Sequence, residues 1–148
     1  MDPPYWARLV WYNQRMARRI LIVDDDTELS GFLVDGLKIS GFETLSAENG
    51  EEGVRIARLE KPDLMIVDLA MPRMNGYEVC RAVRGDPSIA KTPIIITSGK
   101  NYAVDVKMAQ TAGANMYFVK PYSLKDIALW IGRLLGDLPP APPTGRTP

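Results

Sequence analysis

Six side chains, scattered along the chain, are of types that could do chemistry together. Asp24, Asp25 and Asp26 stand in a row, Asp68 closes an apolar run, Thr97 closes another, and Lys120 precedes Pro121. Clustered carboxylates repel one another, so at least one pKa rises unless a cation sits among them. Hard oxygen donors without imidazole or thiolate select Mg2+, with Mn2+ as the alternative. A lysine ammonium gives a fixed charge for one phosphoryl oxygen, and a threonine hydroxyl gives a donor to another. Phosphoryl transfer is catalysed mainly by positioning and charge neutralisation, and a carboxylate can itself be the nucleophile. Each residue also has an ordinary explanation. Asp26 suits a helix N-cap with Glu28 in the first turn, Thr97 is a common strand residue, and Pro121 is a breaker. The argument therefore rests on whether one fold brings them together.

The apolar pattern supplies such a fold. Arg19 to Val23 is a continuous β-branched run, followed by a helical stretch from about Thr27 to Ser40 with Leu29, Phe32, Leu33 and Leu37 on one face. Phe42 to Ser46 is a second strand, and Glu51 to Glu60 a second helix with Val54, Ile56, Ala57 and Leu59, stopped by Pro62. Leu64 to Val67, Ile94 to Thr97 and Asn115 to Val119 are strands 3, 4 and 5; Gly76 to Arg84, about Ala103 to Ala112, and Leu124 to Leu135 are helices 3, 4 and 5. Strands 1, 3 and 4 are apolar without alternation, as parallel strands covered on both faces must be. Five βα repeats with right-handed crossovers give a doubly wound, three-layer α/β sandwich. In that architecture the ligand crevice lies beyond the carboxyl ends of the strands, which is where the acids, the threonine and the lysine fall.

Composition narrows the chemistry. The 148 residues contain no histidine, which removes Ser-His-Asp and Cys-His catalysis and His-ligated zinc. One cysteine, Cys80, permits no internal disulfide and fits a reducing compartment. Eighteen acidic and eighteen basic side chains cancel, giving no overall pull toward nucleic acid or anionic lipid. No apolar run is long enough to span a membrane, and no signal-peptide core opens the chain, so a cytoplasmic location is expected. Residues 1–17 read either as an amphipathic extra helix after Pro3 and Pro4 or as a start artefact, the second being the simpler reading. The proline-rich stretch 136–148 reads as a disordered tail or a linker stump.

The stretches RILIVDDD (19–26), LMIVDLAMPRMNGYEVCRAVR (64–84), GDPSIAKTPIIITSG (85–99) and AGANMYFVKPYS (112–123) resemble the receiver domain of two-component response regulators, over roughly residues 18–135. The resemblance implies a flavodoxin-like five-stranded parallel sheet of order 2-1-3-4-5. It implies Asp68 as phosphoacceptor, with Asp24, Asp25, Asp68 and the Ala70 carbonyl holding Mg2+. Thr97 would bind the phosphoryl group, Lys120 would pair with it, Lys120-Pro121 would be a cis peptide, and Tyr117 falls on the switch aromatic. Asn75 stands where the family usually has Asp. Ala70 and Gly99, two residues after the acceptor and the threonine, are both small and leave the phosphoryl lifetime open. The stretch from Thr97 to Lys120 is about one residue longer than the commonest family spacing.

The implied protein is no enzyme in the ordinary sense. It is a phosphorylation-controlled switch fed by a histidine kinase or phosphotransfer protein. Its readout is the surface of helix 4, strand 5 and helix 5, presented to a protein target as a monomer or weak phosphorylation-dependent dimer. After Leu135 the chain runs only to Pro148, too short for a helix-turn-helix or catalytic output module, so a stand-alone receiver is expected. Two rivals remain. A haloacid dehalogenase-type phosphatase needs Asp-x-Asp-x-Thr, whereas Asp24-Asp25-Asp26-Thr27 places the threonine one residue early and leaves Asp68 without a role. A non-phosphorylated adaptor would keep only the fold.

Overall fold

In a computed structural model of the chain, residues 2, 4–6, 17–100 and 102–139 are described. Among the described residues, five strands, β1 (Arg19–Val23), β2 (Glu43–Ala47), β3 (Leu64–Asp68), β4 (Ile94–Ser98) and β5 (Met116–Val119), alternate with five helices. These are α1 (Thr27–Ile39), α2 (Gly50–Glu60), α3 (Gly76–Arg84), α4 (Ala103–Ala112) and α5 (Leu124–Leu134). All strand pairs are parallel and the sheet order is β2-β1-β3-β4-β5. Chain order reverses between β1 and β3, which opens the crevice at their carboxyl ends.

Strand residues alternate between two cores, one on each face of the sheet. Leu21, Val23, Met65, Val67, Ile94 and Ile96 pack with Val54 and Ala57 of α2, Val79 and Val83 of α3 and Ala109 of α4. Ile20, Ile22, Ile66 and Ile95 pack with Leu33 and Leu37 of α1 and Ile127 and Ile131 of α5. Because both faces are covered, residues of either parity must be apolar, which is why these strands show no polar alternation.

Local signals set the helix starts. Asp26, Asn49, Asn75 and Ser123 each accept a hydrogen bond from the backbone amide of the third residue of α1, α2, α3 and α5, satisfying donors that the helix leaves open. Helix α4 differs, for Tyr102 before it offers no side-chain cap. A knot of neutral acceptors holds the sheet's far side together. The Arg84 guanidinium donates to the carbonyls of Ala90, Thr92 and Gly113 and to Asn115 Oδ1 at 2.6–3.0 Å, joining the end of α3 to the segments entering β4 and β5.

Two expectations for the helix faces need correction. Leu29 and Phe32 are not core residues of α1: they are 53% and 75% exposed, and of the four expected only Leu33 and Leu37 are buried. The first turns of α1 lie at the carboxyl end of the sheet, where they face the β5–α5 turn across an open groove instead of packed strands. Leu59 of α2 is likewise exposed, because the buried stripe there runs through Val54 and Ala57. Residues 136–138, grouped with the tail on sequence, fold back on α5. The amides of Asp137 and Leu138 donate to the Gly132 carbonyl, and Arg18 clamps Asp137 at 2.7 Å. The extra helix considered over residues 1–17 and the remaining tail from residue 140 lie for the most part outside the described residues.

Helix α2 ends at Lys61, whose φ of 45° lies in the left-handed region that favours glycine. Relief of that conformation outweighs the extra chain entropy of glycine. Lys61→Gly is expected to raise unfolding free energy by about 0.5–1 kcal/mol, seen as a higher denaturant midpoint at unchanged m.

Candidate functional site

The crevice gathers the acids from two adjacent strands. Asp24 follows the last residue of β1 and Asp68 is the last residue of β3, with β1 and β3 paired through Val23 and Val67. Both carboxylates are nearly inaccessible, at 7% and 6% exposure, whereas Asp25 faces solvent. One oxygen from each of Asp24, Asp25 and Asp68 lies within 4.8 Å of the others. The Asp26 amide donates to Asp24 Oδ1 at 2.9 Å, and Asp26 itself turns away to cap α1. The acidic run thus divides between the cluster and the helix start.

Lys120 comes in from β5. Its Nζ lies 3.0 Å from Asp68 Oδ1 and 3.5 Å from Asp24 Oδ2. The backbone tethers it through its amide to the Ser98 carbonyl, and the Lys120-Pro121 peptide is cis. Thr97 is buried and sits in register with Asp68 on the neighbouring strand, while the Leu69 amide donates to the Thr97 carbonyl at 2.9 Å. Ala70 is exposed on the loop after β3. Gly99 has open space where a Cβ would stand. Tyr117 is not in the cluster: its ring is buried, and its hydroxyl donates to the Lys100 carbonyl at 2.8 Å in the loop before α4.

The loop between β3 and α3 is seated tightly. Gly76 opens α3 so close to the end of β3 that a Cβ would stand 2.9 Å from the Asp68 carbonyl oxygen and the Leu69 Cα. Its amide also donates to the Leu69 carbonyl. Arg73 in that loop takes φ 68°, a left-handed conformation uncommon for a residue other than glycine and frequent near functional sites.

Burial dominates the electrostatics. It pushes the Asp24 and Asp68 carboxyls above the ordinary carboxylate value; Lys120 pulls both back, and Asp25 adds repulsion. For Lys120 burial acts downward, but the hydrogen bond to Asp68 and the charges of Asp24 and Asp68 override it, so its pKa is raised. One ammonium among three carboxylates leaves uncompensated negative charge. The set contains only hard oxygen donors, which fits a divalent cation of the magnesium class.

Two features escaped sequence reasoning. Leu29 and Phe32, with Leu33, Pro121, Tyr122 and Leu124, line an apolar groove of about 400 Å³ that borders Lys120. Exposed apolar residues at helical spacing look like core in a sequence, so nothing marked them. Tyr77, next to Gly76, sends its hydroxyl to Asp105 of α4, and this long-range pairing leaves no local signal.

A raised carboxyl pKa is a stability statement. The contribution is complete below the unfolded value of 3.8 and is lost as pH rises through the folded value, so at neutral pH ionised Asp24 and Asp68 oppose folding. Asp24→Asn keeps the acceptor for the Asp26 amide and removes the charge. It is expected to raise the metal-free Tm at pH 7, with the gap closing as pH falls toward 3.8. It also shrinks the stabilisation given by millimolar Mg2+; a lower Tm at pH 7 contradicts this account of the site.

Comparisons with known proteins agree with this geometry. Residues 20–131 match the response regulator receiver domain family. The DNA-binding response regulator MtrA of Mycobacterium tuberculosis is 38% identical over 112 residues, 76% of this chain and 48% of that protein. The Bacillus subtilis alkaline phosphatase synthesis regulator PhoP is 33% identical over 76% of this chain and 46% of its own length. This chain therefore spans about half the length of the curated relatives it matches. Among solved structures, a signal receiver domain of a histidine kinase from Syntrophus aciditrophicus is 32% identical with a TM-score of 0.76, covering 88% of this chain and 99% of that one. A response regulator from Chloroflexus aurantiacus reaches a TM-score of 0.78 at 29% identity, over 81% and 98%. The chain belongs to the response regulator receiver domain family.

Proposed function

We propose that Asp68 is the phosphoacceptor of a two-component switch, with Lys120 and Thr97 as the groups that receive the phosphoryl charge. The observation that carries this reading is the Lys120 Nζ contact with Asp68 Oδ1 at the centre of the acid cluster. A carboxylate oxygen of Asp68 attacks phosphorus. The bond from phosphorus to the donor's imidazole nitrogen, or to the acyl oxygen of a small donor, breaks, and the leaving group departs with its electron pair. Lys120 holds its charge against one phosphoryl oxygen and Thr97 offers its hydroxyl to another. Asp24, Asp25, Asp68 and the Ala70 carbonyl are the groups that would hold Mg2+, which when bound neutralises charge between carboxylates and phosphoryl oxygens. In the dehalogenase alternative Asp68 has no role, so its place at the centre of the cluster counts against that reading.

The apolar groove of Leu29, Phe32, Pro121, Tyr122 and Leu124 gives a phosphodonor protein a seat beside the acceptor. The donor is a histidine kinase or a phosphotransfer protein. On the output side, attraction of Thr97 to the phosphoryl group makes room for the Tyr117 ring, and the surface of α4, β5 and α5 changes to engage a protein target. The domain spans residues 18–135 and works in the cytoplasm as a monomer or weak phosphorylation-dependent dimer, without direct contact to nucleic acid. No helix among the described residues is long and apolar enough to cross a membrane. A full swing of such a switch from 1:99 to 99:1 needs about 5.5 kcal/mol of differential stabilisation. A receiver-like adaptor without phosphorylation is the second reading, and absence of Mg2+-dependent beryllofluoride binding decides for it.

With acetyl phosphate and Mg2+ the wild-type protein is expected to gain acid-labile phosphate and Asp68→Asn none; labelling of Asp68→Asn refutes the assignment. Phe32→Ser is expected to slow transfer from a histidine-phosphorylated donor protein by about tenfold, equivalent to about 1.4 kcal/mol of lost docking. Its labelling by acetyl phosphate stays at the wild-type rate.

A further inference from the structure

Helix α4 is the helix least held by apolar packing. Only Ala109 and Ala112 of its residues are buried, Val104 and Met108 are exposed, and its N-cap makes no side-chain hydrogen bond. Val106 adds a half-buried contact with the same core, and polar ties supplement this packing. Two phenol hydroxyls do so from different elements. Tyr117 of β5 donates to the Lys100 carbonyl in the loop before α4, and Tyr77 of α3 reaches the first turn of α4, with its hydroxyl 3.2 Å from the Asp105 carbonyl and 3.4 Å from Asp105 Oδ1. Tyr77 directly follows Gly76, which is packed against the backbone of Asp68 and Leu69 without room for a methyl group.

We infer that Tyr77 is a positioning residue of the switch, a tether through which the backbone around Asp68 sets where α4 sits. The path is short: Asp68 backbone, Gly76, the Tyr77 ring, Asp105. Because Gly76 meets main-chain atoms, a shift of the acceptor loop moves the Tyr77 ring with it. The two phenols act on the same helix end, so the Tyr77 tether and the buried Tyr117 ring favour one arrangement of α4. In that arrangement the Tyr77 pKa is pushed up to about 12, by burial first and then by Asp105 and Tyr117. The hydroxyl therefore stays protonated and a donor throughout the neutral range. The inference rests on the reading of Asp68 as phosphoacceptor. In the proposed switch the Tyr117 ring moves inward on phosphorylation, and it is buried in this arrangement, so linkage requires that loss of the tether weaken binding of a phosphoryl mimic at Asp68.

Tyr77→Phe removes one oxygen and keeps the ring. Wild type, Tyr77→Phe and Asp105→Asn are titrated with beryllofluoride in Mg2+, alongside amide hydrogen exchange and Tm. Expected for Tyr77→Phe are a Tm close to wild type, faster exchange confined to residues 103–112, and roughly three- to tenfold weaker beryllofluoride binding. Asp105→Asn keeps both acceptor oxygens and is expected to match wild type. If wild type binds and Tyr77→Phe binds equally or more tightly, the tether is refuted while the acceptor reading stands. If wild type binds no beryllofluoride, the acceptor reading fails and the coupling fails with it.

Discussion

The arrangement at the carboxyl end of the sheet turns on one ammonium held between two nearly inaccessible carboxylates. Asp24 and Asp68 stand at neighbouring strand ends with little water to screen them. Two such anions side by side oppose folding unless cations are supplied. Lys120 is one, and it is delivered by the last strand, across β4 from β3. The backbone amide that ties Lys120 to Ser98, the register of Thr97 with Asp68 and the close seat of Gly76 all hold this charge group in place. Charge left over after Lys120 is what makes the cluster fit a divalent ion.

Much of this was legible in the chain because the fold writes itself in runs. The interiors of strands β1, β3 and β4 are apolar without alternation because helices cover both sheet faces, and a helix pattern follows each one. Once the parallel βα repeat is granted, residues at the carboxyl ends of the strands must share a rim, which groups Asp24, Asp68, Thr97 and Lys120 from the pattern alone. Strands β2 and β4 extend one residue beyond their apolar pattern, to Ala47 and Ser98, because pairing and not side-chain type decides the boundary.

What the sequence hid shares a physical cause. Leu29 and Phe32 have the spacing of core residues, yet burial depends on what lies opposite, and opposite the first turns of α1 is a groove and not a strand. Tyr77 and Asp105 are far apart along the chain, and Arg84 finds its acceptors among main-chain carbonyls, which every sequence has. Patterns report local periodicity. Pairings made across the fold by polar atoms leave no such trace.

The partners chosen by Arg84 have a consequence for ionic strength. The bridges Arg18–Asp137, Arg19–Glu60 and Arg58–Asp86 join formal charges at the periphery, and dissolved electrolyte weakens such pairs. Arg84 instead donates to uncharged oxygens in a partly sheltered pocket, where counterions have no anion to replace. Concentrated brine therefore loosens the seam where residues 18 and 137 meet, while the segments entering β4 and β5 stay fastened and continue to carry Thr97 and Lys120.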